Sequence, residues 1–131
     1  MIAINTKSHQ GCFEIDISGT DVDFASLTKQ LMERSAGVFS LRNKPNVYYP
    51  VPMRLLSVKL VEQSNGVVTV LIDDAEIKLL GDSQAFQKLT YFLENLSNLS
   101  PGEHFHLDWF ANSDLLAPST NNMSFIFSKE A

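Results

Sequence analysis

The feature that most constrains the fold is an internal similarity, in which residues 14–31 align without gaps with residues 76–93 at an offset of 62. A match of this kind arises from a duplication, or from two strand–turn–helix units that obey the same local rules. About one identity is expected by chance in so short a window. Seven pairs are identical: Glu14/Glu76, Ile15/Ile77, Gly19/Gly81, Phe24/Phe86, Leu27/Leu89, Thr28/Thr90 and Leu31/Leu93.

Each copy predicts a strand, a turn at glycine and an amphipathic helix. Residues 13–18 alternate apolar and polar side chains before Gly19, and residues 76–80 do the same before Gly81. Each helix begins at a residue that accepts hydrogen bonds from free N–H groups, and then buries one apolar stripe. The expected cap is Thr20 or Asp21 in the first copy and Asp82 or Ser83 in the second. The expected buried stripes are Phe24, Leu27 and Leu31 in the first helix, and Phe86, Leu89, Leu93 and Leu96 in the second.

Extended segments follow each helix. Three prolines between residues 35 and 53 exclude a long helix or a central strand there. Residues 54–63 and 67–73 alternate and predict a hairpin, and a short charged turn then leads into the strand at residues 76–80. After the second helix, residues 103–109 and 123–128 are predicted strands.

The predicted order is therefore βαββ–βαββ in a single domain, residues 1–131. The pseudo-repeats cover about residues 13–73 and 75–130. We expect an α+β fold in which two helices pack on one face of a mostly antiparallel sheet and leave the other face open. Edge strands of such a sheet also allow a homodimer.

Composition limits the class of protein. A hydrophobic content of 44% and a charged content of 19% are typical of globular domains. The net charge of −5 and the scattered basic residues argue against a nucleic-acid partner and favour a basic protein surface. Cys12 is the only cysteine, and neither a signal peptide nor a membrane span is recognisable. We expect a cytoplasmic protein with no cofactor and no membrane partner.

Residues 103–110 contain the strongest candidates for function. With the two-residue period of a strand, two imidazoles and a carboxylate share one face, while large apolar side chains share the other. The apolar face is expected to pack on the core, and the polar face to join the open side of the sheet. The predicted contact residues on this open face are His104, His106, Asp108, Glu76, Lys78 and Asp16.

Several kinds of chemistry fit these residues. His-x-His is a metal-ligand spacing, so His104, His106 and Asp108 are candidate metal ligands, and an Asp–His pair also suits acid–base catalysis. A small metal-dependent or acid–base hydrolase is therefore an alternative, as is a small-ligand-binding domain. A solvated sheet face is the simplest alternative. Tyr48 and Tyr49, close to prolines, suit a binding edge but are more typical of packing over the end of a core.

The C-terminal half resembles a family of small bacterial immunity proteins encoded beside polymorphic toxins, immunity protein family 32. The likeness covers about 55 residues: a strand ending at Gly81, an amphipathic helix, the HxHxD-type strand at residues 104–108, and an apolar last strand after a loop containing Leu115, Leu116 and Ser119. The N-terminal half departs from the family, apart from its similarity to the second half. The resemblance implies a non-enzymatic protein that binds a cognate toxin and blocks its active site. It also implies that His104, His106 and Asp108 form or border the contact surface, with Trp109 supporting the strand from behind.

Overall fold

The computed structural model describes residues 1–33 and 37–131, and these residues form an α+β fold of two helices and nine strands in two sheets. The helices are α1 (Asp21–Met32) and α2 (Ser83–Glu94), and short 3₁₀ turns lie at Asn95–Asn98 and Pro118–Thr120. The strands are β1 (Ala3–His9), β2 (Cys12–Gly19), β3 (Gly37–Ser40), β4 (Val51–Pro52), β5 (Leu55–Leu60), β6 (Thr69–Asp73), β7 (Glu76–Gly81), β8 (His104–Asp108) and β9 (Met123–Lys129). The five-stranded sheet has the order β4-β1-β2-β9-β8, and the four-stranded sheet has the order β3-β5-β7-β6.

Apart from the short strand β4, the two halves of the chain form the same series of elements, and each sheet combines a hairpin from each half. Each half contains a hairpin, a helix and a second hairpin: β1–β2, α1 and β3–β5 in the first half, then β6–β7, α2 and β8–β9 in the second. The parallel pair β2/β9 joins hairpins from both halves into the five-stranded sheet, and the parallel pair β5/β7 does the same in the four-stranded sheet. Asp21 and Ser83 begin the helices and Met32 and Glu94 end them, which is the offset of 62 at both ends. The internal similarity therefore extends to the arrangement of all these elements except β4.

The helix starts confirm the predicted caps. Thr20 Oγ1 accepts from the backbone N–H of Asp23 at 3.2 Å, and the Asp23 carboxylate accepts from the N–H of Thr20 at 3.0 Å, which completes a capping box. Asp82 caps α2 by accepting from the N–H of Ala85 at 2.8 Å. Each cap satisfies backbone donors that a helix start leaves free.

The glycines shared by the two copies mark a close approach of strand and helix. A Cβ atom on Gly19 would lie 3.0 Å from the Cβ of Asp23, and one on Gly81 would lie 3.0 Å from the Cβ of Ala85. Contacts this short are rare for real side chains. Each glycine therefore lets the first turn of the helix pack against the end of the preceding strand.

One predicted hairpin is wrong, because β5 does not pair with β6. Strand β7 lies between them, parallel to β5 and antiparallel to β6. The turn that was expected to close the hairpin is instead bound to the start of α2, where the Asp82 carboxylate accepts from the N–H groups of Ser64 at 2.9 Å and Gly66 at 3.1 Å. With the bond from Ala85, these contacts lower the pKa of Asp82 to about 2.

The predicted order βαββ–βαββ and the single sheet are also wrong. Residues 3–9 form β1, which pairs with β2 over its full length, and the short edge strand β4 pairs with β1. The observed order is ββαβββ–ββαββ. Five of the seven strand pairs in residues 1–33 and 37–131 are antiparallel, so the mostly antiparallel character is confirmed. None of the helices in these ranges is both long enough and apolar enough to cross a bilayer.

A single cluster of buried apolar side chains lies between the inner faces of the two sheets and the helices. A cavity of about 50 Å³ remains in this cluster, lined only by apolar side chains. The lining comes from both sheets and both helices, including Ile17 and Phe127 of the five-stranded sheet, Val70 and Ile77 of the four-stranded sheet, and Leu27 and Leu93 of the helices. The two sheets therefore form one structural unit.

Replacing Val70 with isoleucine is expected to stabilise the fold by about 0.8 kcal/mol, because the added methyl group fills part of this cavity. Urea denaturation measures the change. Val38→Ile adds the same group on the exposed outer face of the same sheet and should leave stability unchanged. A loss of stability in Val70→Ile alone would show that the cavity does not accept the methyl group.

Candidate functional site

The candidate site is an open cleft of about 340 Å³ on the outer face of the five-stranded sheet. We call it the tyrosine–histidine cleft, and its lining residues are Lys7, Glu14, Asp16, Tyr48, Tyr49, His104, His106, Ile126 and Ser128. It joins four neighbouring strands, β1, β2, β9 and β8, to the loop at residues 41–50. Its position follows from the strand alternation, since the intervening residues Ile15, Ile17, Phe125 and Phe127 face the core.

The strand register fixes which side chains meet in the cleft. Asp16 of β2 and His106 of β8 both pair with Ile126 of β9, so the three side chains form one row across the sheet. In the adjacent row His104 pairs with Ser128. Residues from opposite ends of the chain are thus brought together by the parallel pair β2/β9.

The histidine strand has the predicted orientation. Both imidazoles are exposed, whereas Leu107 is buried, which confirms the inward and outward alternation. The two imidazole rings lie edge to face, with centroids 5.2 Å apart. Phe105 faces inward but stays half exposed, because β8 is the edge strand of its sheet, and its ring packs against Phe92 at a centroid distance of 6.2 Å.

Asp16 is the most buried charged group in the cleft, with 7% of its surface exposed. Its Oδ1 accepts a hydrogen bond from the Ser128 hydroxyl at 2.8 Å. Burial is the largest effect on the pKa of Asp16 and raises it above 3.8, and the nearby charge of Glu130 raises it further. The hydrogen bond from Ser128 and the proximity of His104 lower this pKa but do not outweigh burial. The fold therefore holds a carboxylate where its ionised form is poorly solvated.

A turn in the loop at residues 41–50 supplies the two tyrosines. The side-chain oxygen of Asn46 accepts from the N–H groups of Tyr48 at 2.8 Å and Tyr49 at 2.9 Å, which fixes the backbone of the turn. Tyr48 is 75% exposed, whereas Tyr49 is half-buried. Burial, and then the carboxylates of Glu14 and Asp16, raise the pKa of Tyr49 above 10.0, so this phenol lies close to the acidic wall.

Contacts with the sheet and the C-terminus hold this loop in place. The side-chain amide of Asn5 donates to the Lys44 carbonyl at 2.8 Å. Arg42 forms an ion pair with Glu130, and Lys44 Nζ lies 3.3 Å from the same carboxylate. Burial alone would raise the pKa of Glu130, but the two cationic groups outweigh that effect and leave the pKa below 4.5. The loop is thus positioned by contacts that are distant in sequence.

The structure separates the predicted contact residues into two groups. His104, His106 and Asp16 come together in the cleft. Asp108 shares their face, but its carboxylate accepts from the N–H of Ala111 at 2.9 Å and so closes the turn that follows β8. Asp108 therefore serves the turn and does not line the cleft.

Glu76 and Lys78 do not belong to this site, because they lie on the outer face of the four-stranded sheet. Glu76 accepts from the Ser57 hydroxyl at 2.8 Å, and Lys78 Nζ lies 3.6 Å from the Asp73 carboxylate. The prediction that they join the histidines assumed a single sheet. With two sheets, the open polar residues divide between two separate faces.

Sequence reasoning did not assign the tyrosines, Lys7 or Ser128 to the site. The available signal was the adjacent pair Tyr48 and Tyr49 between Pro45 and Pro50, which the structure places over a sheet face. Local sequence does not show which face the loop crosses. That depends on contacts such as Asn5 with Lys44.

The geometry does not support the predicted metal site. In the described residues, 1–33 and 37–131, no group of three His, Cys, Asp or Glu side chains is placed to hold a metal ion. Of the three candidate ligands, Asp108 does not join the two histidines, because its carboxylate accepts a hydrogen bond from the following turn. The two imidazoles remain as part of the cleft wall.

The burial of Asp16 predicts a pH-dependent effect of the variant Asp16→Asn. The raised pKa means that the folded state favours the protonated carboxyl, so ionised Asp16 reduces stability at neutral pH and this loss disappears below 3.8. The asparagine variant keeps an acceptor for Ser128 and carries no charge. We expect a higher urea midpoint than wild type at pH 7 and no difference below pH 3.8. The exposed Asp73→Asn should show no such pH-dependent gain; equal behaviour of the two variants would contradict the prediction.

The chain was also compared with known proteins. Comparisons with models of protein families, with curated proteins and with solved structures found no match. The resemblance to immunity protein family 32 therefore stays a hypothesis based on residues 75–127.

Proposed function

We propose that the chain is a non-enzymatic binding protein that neutralises a cognate protein toxin by direct contact, in the cytoplasm of the cell that makes both. The tyrosine–histidine cleft is the centre of the contact surface. The observation that carries this proposal is the combination, in one open cleft, of exposed aromatic and imidazole rings with the carboxylates of Glu14 and Asp16.

The composition of the cleft suits protein contact. Tyrosine is enriched among residues that dominate binding energy, because it offers a large rigid ring with a polar tip. Tyr48 is exposed, and its backbone is already fixed by Asn46, so little conformational freedom is lost on binding. The net charge of −5 favours fast association with a basic surface, such as the substrate-binding face of a nuclease.

The geometry favours contact over hydrolysis. The hydroxyl opposite His104 in the register, that of Ser128, donates to Asp16 instead of pairing with an imidazole. Asp108, the predicted acidic partner of the histidines, instead accepts a hydrogen bond from the N–H of Ala111. The arrangement therefore offers recognition groups and not an activated nucleophile.

The test is binding to the toxin domain encoded beside this gene. Co-expression should restore growth of cells that make the toxin domain, and the purified pair should form a stable complex. Failure to bind the product of any neighbouring gene would refute the proposal.

Within that complex, Tyr48→Ala is expected to weaken binding by about 30-fold, the effect of losing an interface hot spot of roughly 2 kcal/mol. Isothermal titration calorimetry measures the affinity. Tyr91→Ala removes an equally exposed ring from α2, away from the cleft, and serves as the control. Unchanged affinity in Tyr48→Ala would move the contact surface away from the cleft.

A further inference from the structure

Asp16, which lines the tyrosine–histidine cleft, and its cross-strand neighbour Asn5 are buried acceptors with few hydrogen-bond donors. Asn5 and Asp16 pair directly across β1 and β2 on the outer face, with 1% and 7% of their surfaces exposed. The Asn5 amide nitrogen donates to Lys44, but its oxygen has no hydrogen-bond partner in the described part of the chain. Asp16 accepts from Ser128, and a carboxylate has room for about four hydrogen bonds. Of the two residues, Asp16 lines the cleft, so its carboxylate can accept further hydrogen bonds from a ligand rich in donors.

The walls of the cleft favour a flat cation. Tyr48 and Tyr49 line the cleft together with the carboxylates of Glu14 and Asp16 and the two exposed imidazoles, and the Tyr49 phenol lies close to both carboxylates. Aromatic faces attract cations, and a planar guanidinium stacks on them while it donates in its own plane. With neutral imidazoles, the two carboxylates and Lys7 give the lining a formal charge of −1 at pH 7.

The lysine already present does not satisfy this site. Lys7 Nζ lies 3.6 Å from Glu14 Oε2, and both side chains are about half exposed, at 51% and 48%. Exposed pairs of this type are weak and easily exchanged. An incoming guanidinium can therefore take over the Glu14 carboxylate at the rim and reach the buried Asp16 below.

We propose that the cleft receives a guanidinium group, an arginine side chain presented by the partner, which donates to the Asp16 carboxylate while its plane lies against the Tyr48 and Tyr49 rings. This inference rests on the proposed function only in making the cleft the contact surface. An arginine-based contact also suits a basic toxin, since arginine is enriched in nucleic-acid-binding surfaces and at interface hot spots.

The internal similarity supplies a natural comparison. Lys78 occupies the position of Asp16 in the second copy, at the offset of 62, and it lies 3.6 Å from the Asp73 carboxylate. The outer face of the four-stranded sheet thus carries a cation where the cleft carries a buried anion. The proposed guanidinium site therefore lies only on the five-stranded sheet, and the second copy of the repeat has no equivalent of Asp16.

The experiment is an NMR titration of the full chain with N-acetyl-arginine amide at pH 7.5 and low salt. N-acetyl-citrulline amide, which has the same shape without the charge, and N-acetyl-lysine amide are the comparison probes. We expect weak, saturable binding of the arginine probe, with shifts confined to cleft residues such as Glu14, Tyr49 and His106. The citrulline probe should bind at least about tenfold more weakly, because charge-assisted hydrogen bonds are lost.

Two variants make the result specific. Asp16→Asn, which retains an acceptor for Ser128, should lower the affinity for the arginine probe about tenfold, and Tyr48→Ala should lower it severalfold. Asp73→Asn, on the four-stranded sheet, should leave it unchanged. Equal shifts with citrulline, shifts outside the cleft, or unchanged affinity in Asp16→Asn and Tyr48→Ala would overturn the inference.

The outcome is separable from that of the proposed function. If the toxin domain binds and Glu14→Lys disrupts the complex, while the arginine probe does not bind, the guanidinium inference is wrong and the proposed function stands. If the arginine probe binds with the expected specificity but no neighbouring gene product does, the site is real and the proposed function is wrong.

Discussion

Replacing Phe127 with alanine is expected to lower the free energy of unfolding by about 3–5 kcal/mol. Phe127 is buried in β9, and its ring contacts the Phe92 ring of α2 edge to face at a centroid distance of 5.1 Å and the Phe24 ring of α1 at 6.4 Å. It therefore connects both helices to the strand that pairs in parallel with β2. A change of this size is a large part of the stability of a small domain.

Urea denaturation followed by circular dichroism measures the effect. Phe110→Ala removes the same ring from a position that is 77% exposed and should change stability by less than about 0.5 kcal/mol. If Phe127→Ala costs little more than this control, the helices do not depend on β9 in the way the structure indicates.

The sequence predicts the local elements of this fold because their signals are local. Each of these signals lies within a single strand, turn or helix: the alternation of residues 13–18 and 76–80, the caps at Thr20 and Asp82, and the apolar stripes of both helices. Hydrophobic patterning fixes such elements without reference to the rest of the chain.

The pairing of the strands is not local, and there the predictions fail. Residues 54–63 and 67–73 suggested a hairpin by their closeness in sequence, but the turn between them is bound by Asp82, and β7 enters between the two strands. The parallel pair β2/β9 joins residues more than a hundred positions apart, such as Ile15 and Phe125. No pattern within either strand specifies that partner.

The candidate site likewise combines residues that local sequence patterns predict with residues that long-range contacts bring there. His104, His106 and Asp16 face outward because of strand alternation, which the sequence shows. The tyrosines reach the same face only because Asn5 and Glu130 hold the loop at residues 41–50 against the sheet. The assumption of a single sheet was wrong, and with it the prediction that Glu76 and Lys78 share a face with the histidines.

The equivalent positions of Glu14 and Glu76 in the two copies provide a test of which sheet face binds the partner. Glu14 and Glu76 are identical residues in the two copies, one at the cleft and one on the four-stranded sheet. Glu14→Lys places a second ammonium beside Lys7 and opposes a basic partner. We expect an affinity loss of about 100-fold, because like charges brought together at an interface cost several kcal/mol. Half-exposure of Glu14 keeps the change in folding stability small, below about 1 kcal/mol.

Glu76→Lys makes the same charge reversal at the counterpart position, where Glu76 accepts from Ser57. Both variants change the net charge equally, so a general electrostatic effect on association would appear in both. A contact at the cleft affects Glu14→Lys alone, and the loss should include faster dissociation as well as slower association in surface plasmon resonance. If Glu76→Lys is instead the variant that loses binding, the contact surface lies on the four-stranded sheet, and Lys78 joins it in place of the histidines.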